Sequence, residues 1–204
     1  MPLLVIATAN RKKGVELARL FAPARVALKT LADFPNAAVV DETGDTFAAN
    51  AALKAVTQAK QLGHWVVADD SGLMVDALDG APGVLSARYS GPDATDEANN
   101  RKLLSALAGV APEQRTARFV CHICLADPTG TIRAESEASC RGRILPAGHG
   151  AGGFGYDPLF EIAEYHRSFG ELSALVKSFL SHRARAAARL VPGLIELADR
   201  GEFR

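Results

Sequence analysis

The chain has 204 residues, 48% of them apolar and 23% charged, with 23 Lys and Arg set against 23 Asp and Glu. That is enough chain for one large domain or for two lobes on a shared core, and a formal net charge of zero excludes a bulk electrostatic pull toward nucleic acid or a membrane surface. No apolar run approaches the ~20 residues that span a bilayer, and "MPLLVIATAN" lacks the basic start and small-residue cleavage pattern of a signal peptide, so a cytoplasmic protein is expected.

In chain order, "LLVIAT" (3–8) is a short β-branched run bounded by polar "ANRKK" and reads as a buried strand. Val15, Ala18 and Phe21, flanked by Leu17 and Leu20, predict a helix from Arg11 to Phe21, stopped before Pro23. "RVALKT" (25–30) alternates as a second strand, and "FPNAAVVDETGD" is loop. Thr46 caps a long helix that runs to about Leu62 and ends on Gly63. "HWVVAD" (64–69) is the next strand, continued as extended chain by "LMVDAL", and "DGAPG" (79–83) is a turn. Thr95 caps a helix with acids in its first turn and Gly109 as its stop. Strands near 116–126 and 131–141 flank the hairpin turn "DPTG". A final helix is expected from about Ser181 to Ala198, interrupted or restarted near Pro192. Helices and strands mix without clean βαβ alternation, which predicts an α/β protein with a mixed sheet whose polar loops meet at one cleft.

Three cysteines occur, and "CHIC" (Cys121 to Cys124) has the spacing of half a zinc site. It lies in a strand pattern, however, where positions three apart face opposite ways. No second such pair exists, so small core residues are expected.

Five stretches carry chemistry. In "ATANRKKGVE" a strand gives way to a helix start with a hydroxyl, an amide and two lysines, which suits a bound phosphate; equally, Asn10 simply caps the helix. In "DETGDTFAAN" (41–50) Asp41, Glu42 and Asp45 gather beside a helix start, where they favour the helix dipole or reach a metal. "ADDSG" ends an apolar strand with Asp69 and Asp70. Adjacent strand residues point to opposite sides, so the two acids need not share one task, and a divalent cation would offset their repulsion. Mg²⁺ takes one or two carboxylates plus substrate phosphates and waters. In "GAGGFGYDP" the glycines leave backbone able to touch a flat ligand on which Phe154 or Tyr156 could stack. In "KSFLSHRARAAAR" Lys177, His182 and Arg183 accompany the expected cap Ser181 and could read an exocyclic oxygen or hold a phosphate.

Taken together and in this order, these residues resemble the inosine triphosphate pyrophosphatase family, enzymes that hydrolyse non-standard purine nucleoside triphosphates. The family's opening pattern is matched by Thr8, Asn10, Lys13 and Glu16. Its second segment is matched by Glu42, Thr43, Gly44, Thr46, Phe47, Asn50 and Ala51, with Lys54 following. "ADDSGLMVDALDGAPGVLSARYSG", "GGFGYDPLF" and "SHRARA" complete the likeness, which covers nearly the whole chain. Ala9 stands where the family usually has glycine, which would narrow the backbone freedom beside a phosphate.

The resemblance implies an elongated mixed β-sheet flanked by helices, two lobes around a deep cleft, and the whole chain acting as one pyrophosphatase domain. It implies Mg²⁺-dependent conversion of ITP, dITP or XTP to the monophosphate and pyrophosphate, by a homodimer. Thr8, Ala9, Asn10, Arg11, Lys12 and Lys13 would line the triphosphate, with Ser71 and Lys177. Asp70 would be the general base, and Glu42 with Asp70 would hold the metal. Phe154 would stack on the purine, Gly155, Tyr156 and Asp157 would shape its pocket, and His182 and Arg183 would read the 6-keto edge. Two other readings stay open on the residues: a phosphatase using Asp69 as a covalent nucleophile, although such enzymes carry Asp-x-Asp, and a nucleotide-binding protein without turnover.

Overall fold

The computed structural model describes residues 3–203. Seven strands form one sheet in the order β2-β1-β3-β4-β5-β6-β7: β1 (Leu3–Ile6), β2 (Ala27–Thr30), β3 (Trp65–Val75), β4 (Thr116–Ala126), β5 (Ile132–Ile144), β6 (Phe160–Ile162) and β7 (Arg167–Ser168). Five helices accompany them: α1 (Arg11–Phe21), α2 (Phe47–Leu62), α3 (Asp96–Ala106), α4 (Ala174–Leu180) and α5 (His182–Asp199). The sheet is mixed. β1 runs parallel to both β2 and β3, while β5–β6 and β6–β7 are antiparallel. The expected α/β class with a mixed sheet flanked by helices is what the chain adopts. The chain divides into two compact units, one of residues 3–70, 121–138 and 183–203, the other of 71–120 and 139–182.

In the first unit the strand pleat sorts the apolar residues onto two faces. Leu4, Ile6, Trp65, Val67, Cys121, Ile123 and Leu125 face one way and cluster with Leu17 and Phe21 of α1 and Leu190 and Leu194 of α5. Val5, Ala7, Val66, Ala68 and Cys124 face the other way, against Ala51, Ala55 and Ala59 of α2. These three alanines are fully buried; with only a methyl each, they let the helix lie close to the sheet. Cys121 and Cys124 therefore sit in different cores, as the strand pattern requires. Burial pushes both thiols up, Cys124 to about 12.

The order β2-β1-β3 creates a place for a ligand. The chain leaves β1 toward β2 through α1, then returns past β1 to β3 through α2, so β1 and β3 flank a switch in winding direction. In open α/β sheets ligands bind beyond the carboxyl ends of the strands at such a point. Ile6 is in register with Val67 and the Ala7 N–H donates to the Val67 carbonyl at 2.8 Å, so residues 8–13 leave the sheet beside Asp69 and Asp70, while β3 itself runs on to Val75.

The second unit packs Leu73, Val75, Leu103, Leu107, Ile144, Tyr156 and Leu159 around Phe119, Phe160 and Phe169. The three phenylalanine rings lie 4.7–5.9 Å apart between centroids, within the range in which aromatic pairs add to simple burial.

Several expectations need correction. β1 ends at Ile6 rather than Thr8, β2 starts at Ala27, β3 does not end on the acid pair but runs through it to Val75, and β5 runs on to Ile144. α5 starts at His182, directly after Ser181 as expected, and the extended Ser181 also closes α4. α5 is not interrupted: it passes through Pro192 to Asp199. An interior proline costs about 3 kcal/mol, but Leu190 and Leu194 on either side of it are 3% and 0% exposed. Full burial of two leucines, at about 1.5–3 kcal/mol each, outweighs the break.

Candidate functional site

Asn10 caps α1: its Oδ1 accepts from the Lys12 and Lys13 backbone N–H groups at 3.0 and 3.2 Å, and its own N–H donates to Thr8 Oγ1 at 3.2 Å. Such a cap stabilises a helix by about 1 kcal/mol. It also orders the segment 8–13, in which Thr8 and Lys13 are half-buried and Ala9, Asn10, Arg11 and Lys12 are exposed.

Asp69 and Asp70 enter two different charge networks, because neighbouring strand residues point apart. Asp69 Oδ2 accepts from Arg183 Nε at 3.3 Å and lies 3.7 Å from Lys13 Nζ. Arg183 in turn donates to Glu16 at 2.6 Å. Burial disfavours the charge on Arg183, but Asp69 and Glu16 outweigh it and hold the guanidinium above its ordinary value. The Asp69 side chain is fully buried under these cations, which denies it the in-line approach to phosphorus that a covalent nucleophile needs.

Asp70 faces α2. Its Oδ1 is 3.1 Å from Lys54 Nζ and its Oδ2 accepts from Asn50 Nδ2 at 3.3 Å. The same ammonium reaches Glu42 Oε1 at 2.7 Å. Asn50 and Lys54 stand one helical turn apart on a single face of α2, and the Asn50 Oδ1 is fixed by the Gly44 N–H at 2.7 Å. Burial raises the Asp70 pKa, with Glu42 pushing the same way and Lys54 opposing. Burial works against the charge on Lys54, yet Asp70, Asp69 and Glu42 together lift its pKa.

Across the two networks Glu16, Glu42, Asp69 and Asp70 meet Lys13, Lys54 and Arg183, four carboxylates against three cations. Among the described residues no three or more His, Cys, Asp or Glu side chains gather into a set that could hold a metal ion by themselves. What exists is a pair, Glu42 and Asp70, whose oxygens already converge on one cation, the Lys54 ammonium. That donor set fits Mg²⁺, which takes one or two carboxylates and completes its shell with water and substrate phosphate.

In the second unit the glycine-rich loop is held residue by residue. The Phe154 N–H donates to Asp157 Oδ2 at 3.0 Å, and Lys177 Nζ pairs with that same carboxylate at 2.5 Å. A Cβ on Gly153 would overlap Asp157 Oδ2 and lie 2.7 Å from Lys177 Nζ, so only glycine admits this pair. Tyr156 is buried, donates its hydroxyl to the Ser86 carbonyl at 2.9 Å, and burial pushes its pKa up. Of the two aromatic residues considered for stacking, Tyr156 thus belongs to the core and Phe154 is the half-buried one. His182 is buried with its ring stacked on Phe119, centroids 4.8 Å apart and planes 13° from parallel. Ser71 is half-buried in β3.

The structure therefore gathers Thr8, Asn10, Lys13, Glu42, Asp70 and Arg183 in the first unit, and Phe154, Gly155, Tyr156, Asp157 and Lys177 in the second. Arg183 lies with Lys13, Glu16 and Asp69 in the first unit. Roles for Asn50, Lys54 and Glu16 were not drawn from the sequence, which marks Asp69 only as the covalent nucleophile of a rival reading and as one half of a costly acid pair. The i, i+4 spacing of Asn50 and Lys54 on a strongly helical segment was the available signal.

An open mixed sheet that brings acids and lysines together just past the end of β1 and alongside the middle of β3 defines an enzyme built around an acid-and-lysine centre. Comparison with known proteins makes this specific. The Ham1 family profile matches residues 4–193. A dITP/XTP pyrophosphatase of Rhodopirellula baltica is 54% identical over 196 residues, covering 96% of this chain and 94% of that protein. Another, of Geobacillus kaustophilus, is 52% identical over 190 residues, 93% of each. Among solved structures, a HAM1 protein from Coxiella burnetii superposes with a TM-score of 0.87 at 36% identity, over 96% of this chain and 100% of that one. A nucleoside-triphosphatase / dITP/XTP pyrophosphatase from Mycobacterium abscessus gives 0.75 at 42% identity, over 93% and 99%. The chain belongs to the Ham1 family.

Proposed function

We propose that this protein is a Mg²⁺-dependent pyrophosphatase that converts dITP, ITP and XTP to the nucleoside monophosphate and pyrophosphate. Its relatives' names point to the substrates, and the convergence of Glu42, Asn50 and Lys54 on Asp70 in the middle of β3 carries the chemistry. Thr8, Ala9, Asn10, Arg11, Lys12 and Lys13, at the start of α1, take the phosphates together with Ser71 and Lys177. Phe154 stacks on the purine, with Gly155, Tyr156 and Asp157 setting the loop around it, and His182 and Arg183 bear on the 6-keto edge. Both units act as one catalytic domain.

Asp70 is the general base. Burial raises its pKa, whereas bound Mg²⁺ lowers it, so Asp70 takes the proton from an attacking water that is itself acidified or oriented there; Asn50 fixes the orientation of its carboxylate. Glu42 and Asp70 hold Mg²⁺, which when bound neutralises phosphate charge and lowers the pKa of water. Lys13 and Lys54 supply further positive charge toward the leaving pyrophosphate, the place where phosphoryl-transfer enzymes concentrate it. A donor set aimed at a 6-keto oxygen is left unpaired by the amino group of adenine, and sites of that kind discriminate by about 10⁴ or more.

The test is product analysis with purified protein, ITP and Mg²⁺. Pyrophosphate and IMP are expected in equal amounts; orthophosphate in place of pyrophosphate refutes the bond assignment. Asp70→Asn lowers kcat by about 10²–10⁴-fold, the usual worth of a positioned base; turnover near wild type would place the base elsewhere. Cytoplasmic location and a homodimer complete the proposal, the latter checked by a solution mass twice that of the chain. Among the described residues no helix is long and apolar enough to cross a membrane.

A further inference from the structure

Phe154 is flanked by Gly153 and Gly155, both with positive φ (+81° and +62°). Glycine leaves these angles to be set by bonds from outside the loop. For Gly155 the bonds come from α3: its N–H donates to Asp96 Oδ2 at 2.8 Å, and its carbonyl accepts from Asn100 Nδ2 at 3.0 Å. Asp96 and Asn100 are one turn apart on one helix face, so a single rigid element grips both polar groups of the residue that follows Phe154.

α3 is itself anchored. Thr95 caps it through the Ala98 N–H at 3.1 Å, and Leu103 is buried in the core. Asn99 accepts from the Ser90 N–H at 2.8 Å and donates to the Ala87 carbonyl at 3.2 Å. The segment that Asn99 binds also offers the Ser86 carbonyl to Tyr156. The loop is thereby closed onto α3 on one side of Phe154 and onto the Asp157–Lys177 pair through the Phe154 N–H itself.

We infer that Asp96 and Asn100 are positioning residues for purine recognition: they fix the backbone of Gly155 and through it the plane that the Phe154 ring offers to the base. The inference rests on the proposed role of Phe154 in stacking on the purine. Both bonds end on the Gly155 backbone, so their loss is expected to act on substrate binding and to leave the chemical step alone.

Asn100→Asp keeps the shape and replaces the donor by an acceptor facing the Gly155 carbonyl. It is expected to raise the KM for ITP about five- to tenfold, the worth of one such hydrogen bond, with kcat within about twofold of wild type. Asp96→Ala does the same, and Asp96→Asn, which keeps an acceptor for the Gly155 N–H, restores most of the loss. In a Phe154→Ala background Asn100→Asp has no further effect on KM, because the ring it positions is gone. Should Asn100→Asp fail to fold, Asn100→Leu asks the same question. If Phe154→Ala raises KM while the Asn100 and Asp96 variants leave it unchanged, or if the effects of Phe154→Ala and Asn100→Asp multiply, α3 is not the positioning element and the stacking role stands. If Phe154→Ala itself leaves KM unchanged, the stacking role fails and this inference fails with it.

Discussion

Replacing Lys54 with methionine removes the one ammonium that both Glu42 and Asp70 contact, at 2.7 and 3.1 Å. Breaking a fully buried pair by removing one partner costs about 3–5 kcal/mol. Here the Lys54 and Asp70 side chains are 14% and 8% exposed but Glu42 is 28% exposed, so water screens part of the loss and about 2–3 kcal/mol is expected near pH 8. For a chain of this size that corresponds to a fall in Tm of roughly 5–10 °C. The pH dependence follows from the direction of the Asp70 shift. Its pKa in the fold lies above the ordinary 3.8, so the folded state binds the proton more tightly than the unfolded chain and loses stability as the pH rises through that window. Removing Lys54, which opposes the shift, raises the pKa further. Lowering the pH from about 8 into the acidic range then protonates Asp70 sooner in the variant than in the parent, relieves its repulsion with Glu42, and narrows the deficit of the variant. Urea unfolding of both proteins at both ends of that pH change measures this, and added Mg²⁺ recovers part of the stability at the higher pH, since a ligand of the folded state alone stabilises it. A deficit that is absent, or equal at both pH values, would refute the reading of Lys54 as the counter-charge of the acid pair.

Gly153→Ala drives a methyl into the Asp157–Lys177 pair and forces a left-handed backbone on alanine, which costs about 1–2 kcal/mol for the backbone alone; it is expected to raise the KM for ITP along with lowering Tm, and an unchanged KM would separate the pair from substrate binding. The cysteines, all buried, are expected to stay unreactive toward a thiol reagent in the folded protein and to react only as it unfolds; rapid labelling in native buffer would contradict their burial.

The parts of the fold that were legible in the sequence are those whose signal is local. Asn10, Thr46 and Thr95 cap their helices as the sequence indicates, because a cap is a bond between a side chain and backbone two or three residues away. The faces of Cys121 and Cys124 follow from the strand repeat alone. α4 was not legible: its seven residues present Leu175 and Phe179 to solvent, 70% and 73% exposed, so there is no buried stripe to read. Nor were β6 and β7, three and two residues long, which exist through pairing with β5 and with each other. Pro192 misled because the local cost of a proline is written in the sequence, whereas the burial of Leu190 and Leu194 that offsets it is a property of the packed structure. Within the site, the sequence marks Glu42, Asp69 and Asp70 as a costly collection of acids. It does not say that Asp69 takes Arg183, 114 residues away, since such a contact depends on topology.

That division between two adjacent acids explains why the strand carries both, and it can be tested by exchanging one amide for one carboxylate at each position. The Asp69 carboxylate is the buried counter-charge of Arg183, with Lys13 at its edge; Asp70 is held by a lysine and an amide from α2. Asp69→Asn leaves the Arg183 guanidinium with Glu16 as its charged partner, so stability is expected to fall by about 1–3 kcal/mol. Asp70→Asn keeps an acceptor for Asn50 and leaves Lys54 with Glu42 as a charged partner, and it removes a carboxylate whose ionised form the fold disfavours, so a smaller loss of stability than for Asp69→Asn is expected at neutral pH, although catalysis is lost. Unfolding curves and kcat measured on the same two preparations therefore rank the two variants in opposite orders. If Asp69→Asn abolishes turnover with stability intact while Asp70→Asn weakens the fold, the two acids have been assigned the wrong way round.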